Sequence, residues 1–284
     1  MTTPPTNEPK GLFTSTAADY ARHRPGIPPQ AVALLTDTVR DPNHPALLDL
    51  GSGTGQVPAA LLPAVPRIDR VDLVDPDQDA AATLEPLLSS RPAGFHPLAA
   101  EDFMPPFDGY RADLITCARS FHWMARPEVL SMADRVAAPH AVVAIMGDGS
   151  LWTHESAWTA ALRELIQSYL GEYRRAGTRG AYAEPGGRSY GDDLADSAFS
   201  EVSEHHFPLS RAWTPEDVIG YLRTTSFARP ACSPTAITSS RPPLSGCSRN
   251  MPAAASWRTR CSPCCSRAAP AALRERRPAA YRAA

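Results

Sequence analysis

Apolar residues in the first two-thirds of the chain switch repeatedly between helical spacing and short unbroken runs. Residues 31–39 (AVALLTDTV) place apolar side chains at helical spacing behind Pro28 and Pro29. The turn cluster Asp41-Pro-Asn-His-Pro45 follows, then a buried run, Ala46–Leu50, bounded by Pro45 and Gly51 and read as a strand. A glycine-rich turn leads into a helix over 56–65, with Pro58 tolerable in its first turn. Further strands are predicted at 71–74, 95–98, 112–117 and 141–146, and helices at 80–88 and 127–136. Strands alternating with helices predict right-handed βαβ units on a parallel sheet, hence an α/β, doubly wound, Rossmann-like fold. After Gly147 the alternation stops. One amphipathic helix is predicted over 156–175, a Gly-rich loop over 182–193 and an edge strand over 201–209. A helix opening at Thr214-Pro-Glu-Asp is expected to run to about Ser226.

Composition adds bounds. With 284 residues and 43% hydrophobic content, the chain suits one large domain with extensions. No run approaches the ~20 apolar residues of a membrane span. The polar, Pro-rich stretch Met1–Lys10 lacks the order of a signal peptide, so a cytoplasmic protein is expected. The division expected is 1–30 as a segment covering the active site, 31–150 as the core, 151–228 as a substrate or lid region, and 229–284 as a tail.

That tail reads unlike the rest. The net charge is −2, yet from Arg229 onward there are ten arginines, eight prolines and a single acid, Glu275. Five of the six cysteines lie there, and Val, Phe, Asp, His, Lys and Gln do not occur. A zinc site at Cys261-Ser-Pro-Cys264 lacks a second ligand pair of recognisable spacing. A disordered Pro/Arg tail is the second reading. The third, which is favoured, is translation of GC-rich DNA out of frame. The whole chain has one lysine, Lys10, which fits such a gene.

The strongest chemical signal is the strand–turn–helix Asp49-Leu-Gly51-Ser-Gly53-Thr-Gly55. Glycines there let backbone approach a ligand at the carboxyl end of the first strand, the ligand crevice of an open α/β sheet. A dinucleotide turn needs Gly-x-Gly-x-x-Gly, but Gln56 stands at the sixth position, and the third glycine comes one residue early. The acid at the start suits a ligand with an ammonium group. Asp75 ends the second strand, 24 residues after Gly51. A carboxylate there can accept hydrogen bonds from both hydroxyls of a ribose, whichever cofactor carries it.

The segments LLDLGSGTGQ (47–56), DLVDPD (72–77), AAEDF (99–103) and DLITCARSFHWM (113–124) resemble the class I S-adenosylmethionine (SAM)-dependent methyltransferases, close to the type 11 group of small-molecule enzymes. Tyr20-Ala-Arg-His-Arg-Pro-Gly26 is similar to the segment preceding the domain in that group, and the likeness spans about Phe13 to Phe227. The resemblance implies SAM as cofactor. It implies that Asp49, Gly51, Ser52, Gly53, Gly55 and Gln56 hold the methionine moiety and that Asp75 binds the ribose. It places Glu101, Asp102 and Phe103 by the adenine, and Cys117, Ala118 and Ser120 along the sulfonium. The turn before the fifth strand departs from the usual Pro-Gly-Gly, being Ala138-Pro-His-Ala141. The family completes its sheet with a strand between the fifth and the sixth. No segment after Arg229 reads as that strand, so it is expected to be missing or degraded.

His122 follows the fourth strand and reads either as a general base or as a residue that orients the loop. Arg22 and Arg24 would pair with the methionine carboxylate or be solvated. His205 and His206 point to opposite faces of a strand and do not make one site, and no metal is expected. The implied reaction is direct displacement, in which an oxygen, nitrogen or carbon of a small-molecule acceptor attacks the methyl group. An NAD-dependent oxidoreductase and a SAM-binding protein without turnover are the rival readings. The acidic body lacks a basic stripe, so neither a nucleic-acid nor a membrane partner is expected. The oligomeric state is not legible.

Overall fold

A computed structural model describes residues 17–39, 44–78, 84, 86, 88, 89, 91–148, 156–170, 188–225 and, as backbone, 255–266. Among these, strands β1 (Ala46–Leu50), β2 (Arg70–Val74), β3 (Ala93–His96), β4 (Ala112–Ala118), β5 (Ala137–Met146), β6 (Glu201–Arg211) and β7 (Ala255–Ser266) form one sheet. Its order is β3-β2-β1-β4-β5-β7-β6. β1 to β5 are parallel, and β7 runs antiparallel to both β5 and β6. The order reverses between β1 and β4, which puts the ligand crevice at the carboxyl ends of those two strands.

The unbroken apolar runs of β1, β4 and β5 have a direct cause: helices cover both faces of the sheet. Leu48, Leu50, Ile115, Cys117, Val143 and Ile145 pack on one face with α4 (Arg126–Val136). Leu47, Leu73, Leu114, Val142 and Ala144 face α2 (Pro29–Thr38) and α3 (Gln56–Ala64) on the other. One carboxylate interrupts this pattern. Asp72 on β2 is wholly buried, bound by Arg70 Nε at 2.7 Å and His96 Nε2 at 2.9 Å. Burial alone would raise its pKa, but those two partners outweigh it and hold the pKa low.

A separate small core forms among the later elements. Trp158, Leu162 and Ile166 of α5 (Ala157–Leu170) meet Trp213 and the α7 (Pro215–Arg223) residues Val218 and Tyr221. Thr214 caps α7 through a reciprocal pair with Asp217, as its sequence predicts. Two helices were not anticipated: α1 (Ala17–His23), too short to show a period, and α6 (Tyr190–Ala195), which overlaps the end of the stretch read as loop. Of the predicted helix at 80–88, residues 84, 86 and 88 are described and helical; its other residues, the end of the 156–175 helix and half of the 182–193 loop lie outside the described residues, as do 226–254 and 267–284. The Ala138–Ala141 departure is absorbed into β5, whose first residue pairs with Ala112 before the register shifts. No helix among the described residues is long and apolar enough to cross a membrane.

The expectation that the final strand is missing or degraded is corrected by β7, which lies between β5 and β6. That expectation weighed side chains, whereas a ladder recruits backbone. β5 and β6 each offer an open edge, and β propensity depends strongly on such context. Residues 255–261 also carry the strand-favouring Trp257 and Thr259 at alternate positions. Pro263 cannot donate to a ladder, and it falls where the register slips, between the Ser203–Cys264 and His205–Cys261 pairs. Pro208 lies on β6, the sheet edge, where a missing donor is tolerated.

Gly220 on α7 lies against the ring of His23, where an added Cβ would come within 2.4 Å of three ring carbons. Gly220→Ala gains about 1 kcal/mol of helix propensity but forces the buried ring to move, at a cost of about 1–3 kcal/mol. Urea unfolding should show net destabilisation; a variant more stable than the parent would mean the His23 ring is not fixed there.

Candidate functional site

The turn after β1 is held by three backbone donors. The amides of Gly51 and Ser52 both donate to Val74 O, at 2.8 and 3.1 Å, tying the turn to the end of β2. Gly53 N donates to Asp75 Oδ2 at 2.8 Å, and Asp77 N to Asp75 Oδ1 at 2.8 Å. Gly51, Gly53 and Gly55 all have left-handed backbone, with φ of 65°, 49° and 73°. Glycine adopts these angles without strain. At Gly51 a second reason applies, because an added Cβ would sit 2.4 Å from Cβ and Oγ of Ser120. At Gly53 such an atom would meet nothing within 4 Å. The Gly53 face is therefore open, while the Gly51 face is closed by the β4 loop.

Two carboxylates flank this turn. Asp49 is 1% exposed on β1, and Thr116 Oγ1 of the neighbouring β4 donates to its Oδ1 at 2.6 Å. Burial pushes the Asp49 pKa up to about 7, against the Thr116 bond and with help from the Asp75 charge. Burial also raises Asp75, despite its two backbone donors. Two acids disfavoured as anions make the turn a place where a cation is welcome. The hydroxyls of Ser52 and Thr54, both in the turn, are buried without a hydrogen-bond partner.

The end of β4 closes the other side. Ser120 Oγ donates to Leu50 O at 3.0 Å and lies 3.2 Å from Cys117 Sγ. Burial lifts the Cys117 thiol to about 12, so it stays protonated and is no nucleophile at neutral pH. Arg119, one residue before Ser120, reaches back to Gln56 Oε1 at 2.6 Å.

Glu101 and Asp102 form a short 3-10 turn just beyond the carboxyl end of β3, Glu101 half-buried and Asp102 exposed. Phe103 is 1% exposed; its ring meets His96 and Tyr110 edge-on and belongs to the core. His122 lies exposed in the 3-10 turn Phe121–Trp123, its ring 5.0 Å from that of Trp123. Hydrogen bonds thus join Asp75 with the glycine turn, and Cys117 with Ser120 and the end of β1. Asp49 and Gln56 are instead engaged by β4-side residues absent from the sequence reading, Thr116 and Arg119. Thr54 was also passed over, though a lone hydroxyl among glycines was a usable signal. Arg24 binds Thr224 Oγ1 at 2.8 Å and stacks over Tyr221, fastening α1 to α7. No cluster of metal-ligating residues occurs among the described residues.

A family profile described as "Methyltransferase domain" matches residues 48–145. A Schizosaccharomyces pombe protein named an uncharacterized methyltransferase is 25% identical over 207 residues, spanning 72% of this chain and 75% of that protein. A second from the same yeast, named methyltransferase-like, is 25% identical over 221 residues, spanning 76% and 77%. A solved structure from Anaeromyxobacter dehalogenans, provisionally named a type II methyltransferase, superposes with a TM-score of 0.55 at 20% identity, covering 86% of this chain and 97% of that one. Residues 48–145 carry a methyltransferase domain, and the sheet has the class I methyltransferase fold.

The matched span runs from β1 to β5, so it contains both carboxylates, the glycine turn and the β4 loop. Two predictions follow from their environment. Between about pH 4 and 7 the folded protein keeps a proton on Asp49 that the unfolded chain, with an ordinary pKa of 3.8, has released. The contribution is therefore most favourable below pH 4 and is lost as pH rises through about 7, at up to roughly 1.4 kcal/mol per pH unit. Urea unfolding of the parent and Asp49→Asn from pH 4 to 8 should show this falling difference; parallel profiles would mean that Asp49 is ionised throughout. The two glycines should also separate. Gly51→Ala should lower the melting temperature through the Ser120 clash, whereas Gly53→Ala should pay only backbone strain of about 1–2 kcal/mol. Equal and large losses at both would contradict the open face at Gly53.

Proposed function

We propose that the protein transfers a methyl group from SAM to a small-molecule acceptor by direct displacement. The observation that carries this reading is the pairing of two buried, cation-seeking carboxylates, Asp49 and Asp75, around a turn with an open glycine face and two unpartnered hydroxyls. SAM fits that chemistry: it brings an ammonium, a sulfonium and a ribose, and no phosphate. When bound, it supplies an activated methyl group.

Asp49 and the Gly51–Gly55 turn, with Ser52, hold the methionine moiety, Asp49 through its negative charge rather than through contact, since it is fully enclosed. Asp75 receives the ribose hydroxyls. A carboxylate has about four acceptor sites, and the two backbone donors leave room for two more hydrogen bonds. Glu101 and Asp102 accept from the adenine amino group, with Phe103 fixing their turn from the core side. Cys117, Ala118 and Ser120 wall the reacting end, where a neutral thiol adds no competing charge. Gln56 contributes through Arg119. His122, exposed beside this wall, takes the proton of a hydroxyl acceptor; an amine acceptor does not require it. Much of the rate would come from alignment of the two reactants. Residues 1–30 and 151–228 shape the acceptor pocket, and a cytoplasmic setting agrees with this chemistry. Residues 229–284 are a tail translated out of frame, which resequencing of the gene tests.

Titration calorimetry with SAM and with NADH tests the cofactor, and mass spectrometry of candidate acceptors tests turnover. SAM should bind and NADH should not. Binding without methyl gain on any acceptor would favour a SAM-binding protein without turnover. Asp75→Ala should weaken SAM by at least tenfold, since each hydrogen bond to a charged acceptor is worth roughly 1.5–3 kcal/mol. Unchanged affinity would remove Asp75 from the ribose site.

A further inference from the structure

Arg119 is one of two non-glycine residues among those described with a positive φ, 61°. Its backbone is held there by Arg119 N donating to Met146 O at 2.8 Å. A left-handed arginine is strained, so the surroundings must fix it. Its guanidinium, with a side chain 10% exposed, spans three parts of the chain. NH1 donates to Gln56 Oε1 at 2.6 Å, at the first residue after the glycine turn. NH2 donates to Pro25 O at 2.7 Å, just beyond α1. Nε lies 3.0 Å from Asp148 Oδ2, beyond β5, as an ion pair outside hydrogen-bond alignment. Tyr20 of α1 adds a fourth polar neighbour.

The segment thus gripped is not isolated. Arg24 joins it to Thr224 and Tyr221 at the end of α7, and Arg211 NH1 donates to His23 O at 2.9 Å. The His23 ring lies on Gly220. α1 and α7 are therefore fastened together, and the Arg119 guanidinium connects them to the cofactor turn.

We propose that Arg119 is a positioning residue that docks Tyr20–Pro25 across the cofactor turn, and that undocking of this segment controls release of the cofactor product. The inference rests on the SAM reading above. Holding one strained side chain against a turn glutamine, a backbone carbonyl and an acid makes sense when closure must be specific and reversible. A cap held by apolar packing alone would open less readily. A bound cofactor should tighten the turn and with it Gln56, the Arg119 grip and the docked segment.

Hydrogen exchange on the intact protein provides the first measurement. Adding S-adenosylhomocysteine to the parent should slow exchange across residues 17–25; unchanged exchange overturns the proposal. The second uses Arg119→Gly, which removes the grip together with the backbone strain, and Arg119→Lys, which keeps the charge by Asp148 but cannot bridge Gln56 and Pro25 together. Each folded variant should exchange faster over 17–25 without ligand. Each should release S-adenosylhomocysteine faster in stopped flow, by roughly tenfold for glycine, as expected for lost hydrogen bonds from a charged group. A loosened segment with unchanged release, or faster release with an undisturbed segment, overturns the coupling. If the parent does not bind S-adenosylhomocysteine, the SAM reading falls, and the docking role is judged by exchange in the variants alone.

Discussion

The site depends on backbone that only glycine adopts readily. Three left-handed residues within five positions allow the chain to leave β1, send two amides to Val74 O and a third to Asp75, and enter α3. Each of those hydrogen bonds does double service. It satisfies a donor that would otherwise be orphaned in a half-buried turn, and it fixes the end of β2 relative to β1. The neighbouring acids then acquire their character from position alone. Asp49 is inside the sheet because β1 is covered on both faces, and burial dominates its protonation.

The β4 loop is the complement of that turn. Ser120 occupies the space that a side chain at Gly51 would fill, and its hydroxyl binds the last carbonyl of β1. The loop and the turn are therefore interlocked, and a change in one is felt in the other. Arg119, adjacent in sequence, extends the same contact outward to the N-terminal segment and to Asp148. The open face at Gly53 is bounded by these fixed elements, which is how a rigid sheet presents a reactive crevice.

Much of this arrangement was legible from the order of residues. The apolar runs of β1, β2, β4 and β5 declared themselves because a doubly covered parallel strand has no polar face. The glycine turn and Asp75 were visible because their spacing follows from strand and turn geometry. What was not legible depends on partners distant in sequence. Thr116 looks like an ordinary β-branched strand residue until β1 lies beside it and its hydroxyl meets Asp49. Arg119 has no local pattern, since its role comes from the meeting of Pro25, Gln56 and Asp148. Phe103 stands in a segment that the family resemblance places by the adenine, yet its ring turns inward to His96 and Tyr110. α1 and α6 span too few turns to show a period, and β7 is recruited by edges its own sequence does not mention.

The place of β7 has a consequence for how the protein is made. β6 pairs with β7 and not with β5, although β5 and β6 precede it in the chain. β1 to β5 precede β6 in the chain, but the strand that joins β6 to them, residues 255–266, is made after both. During that interval the β5 flank is a raw edge, able to accept a strand from another nascent chain. Closing the gap is a long-range event, costly in loop entropy and slow by topology. The speed of synthesis and the presence of a chaperone should therefore bear on the yield of this protein.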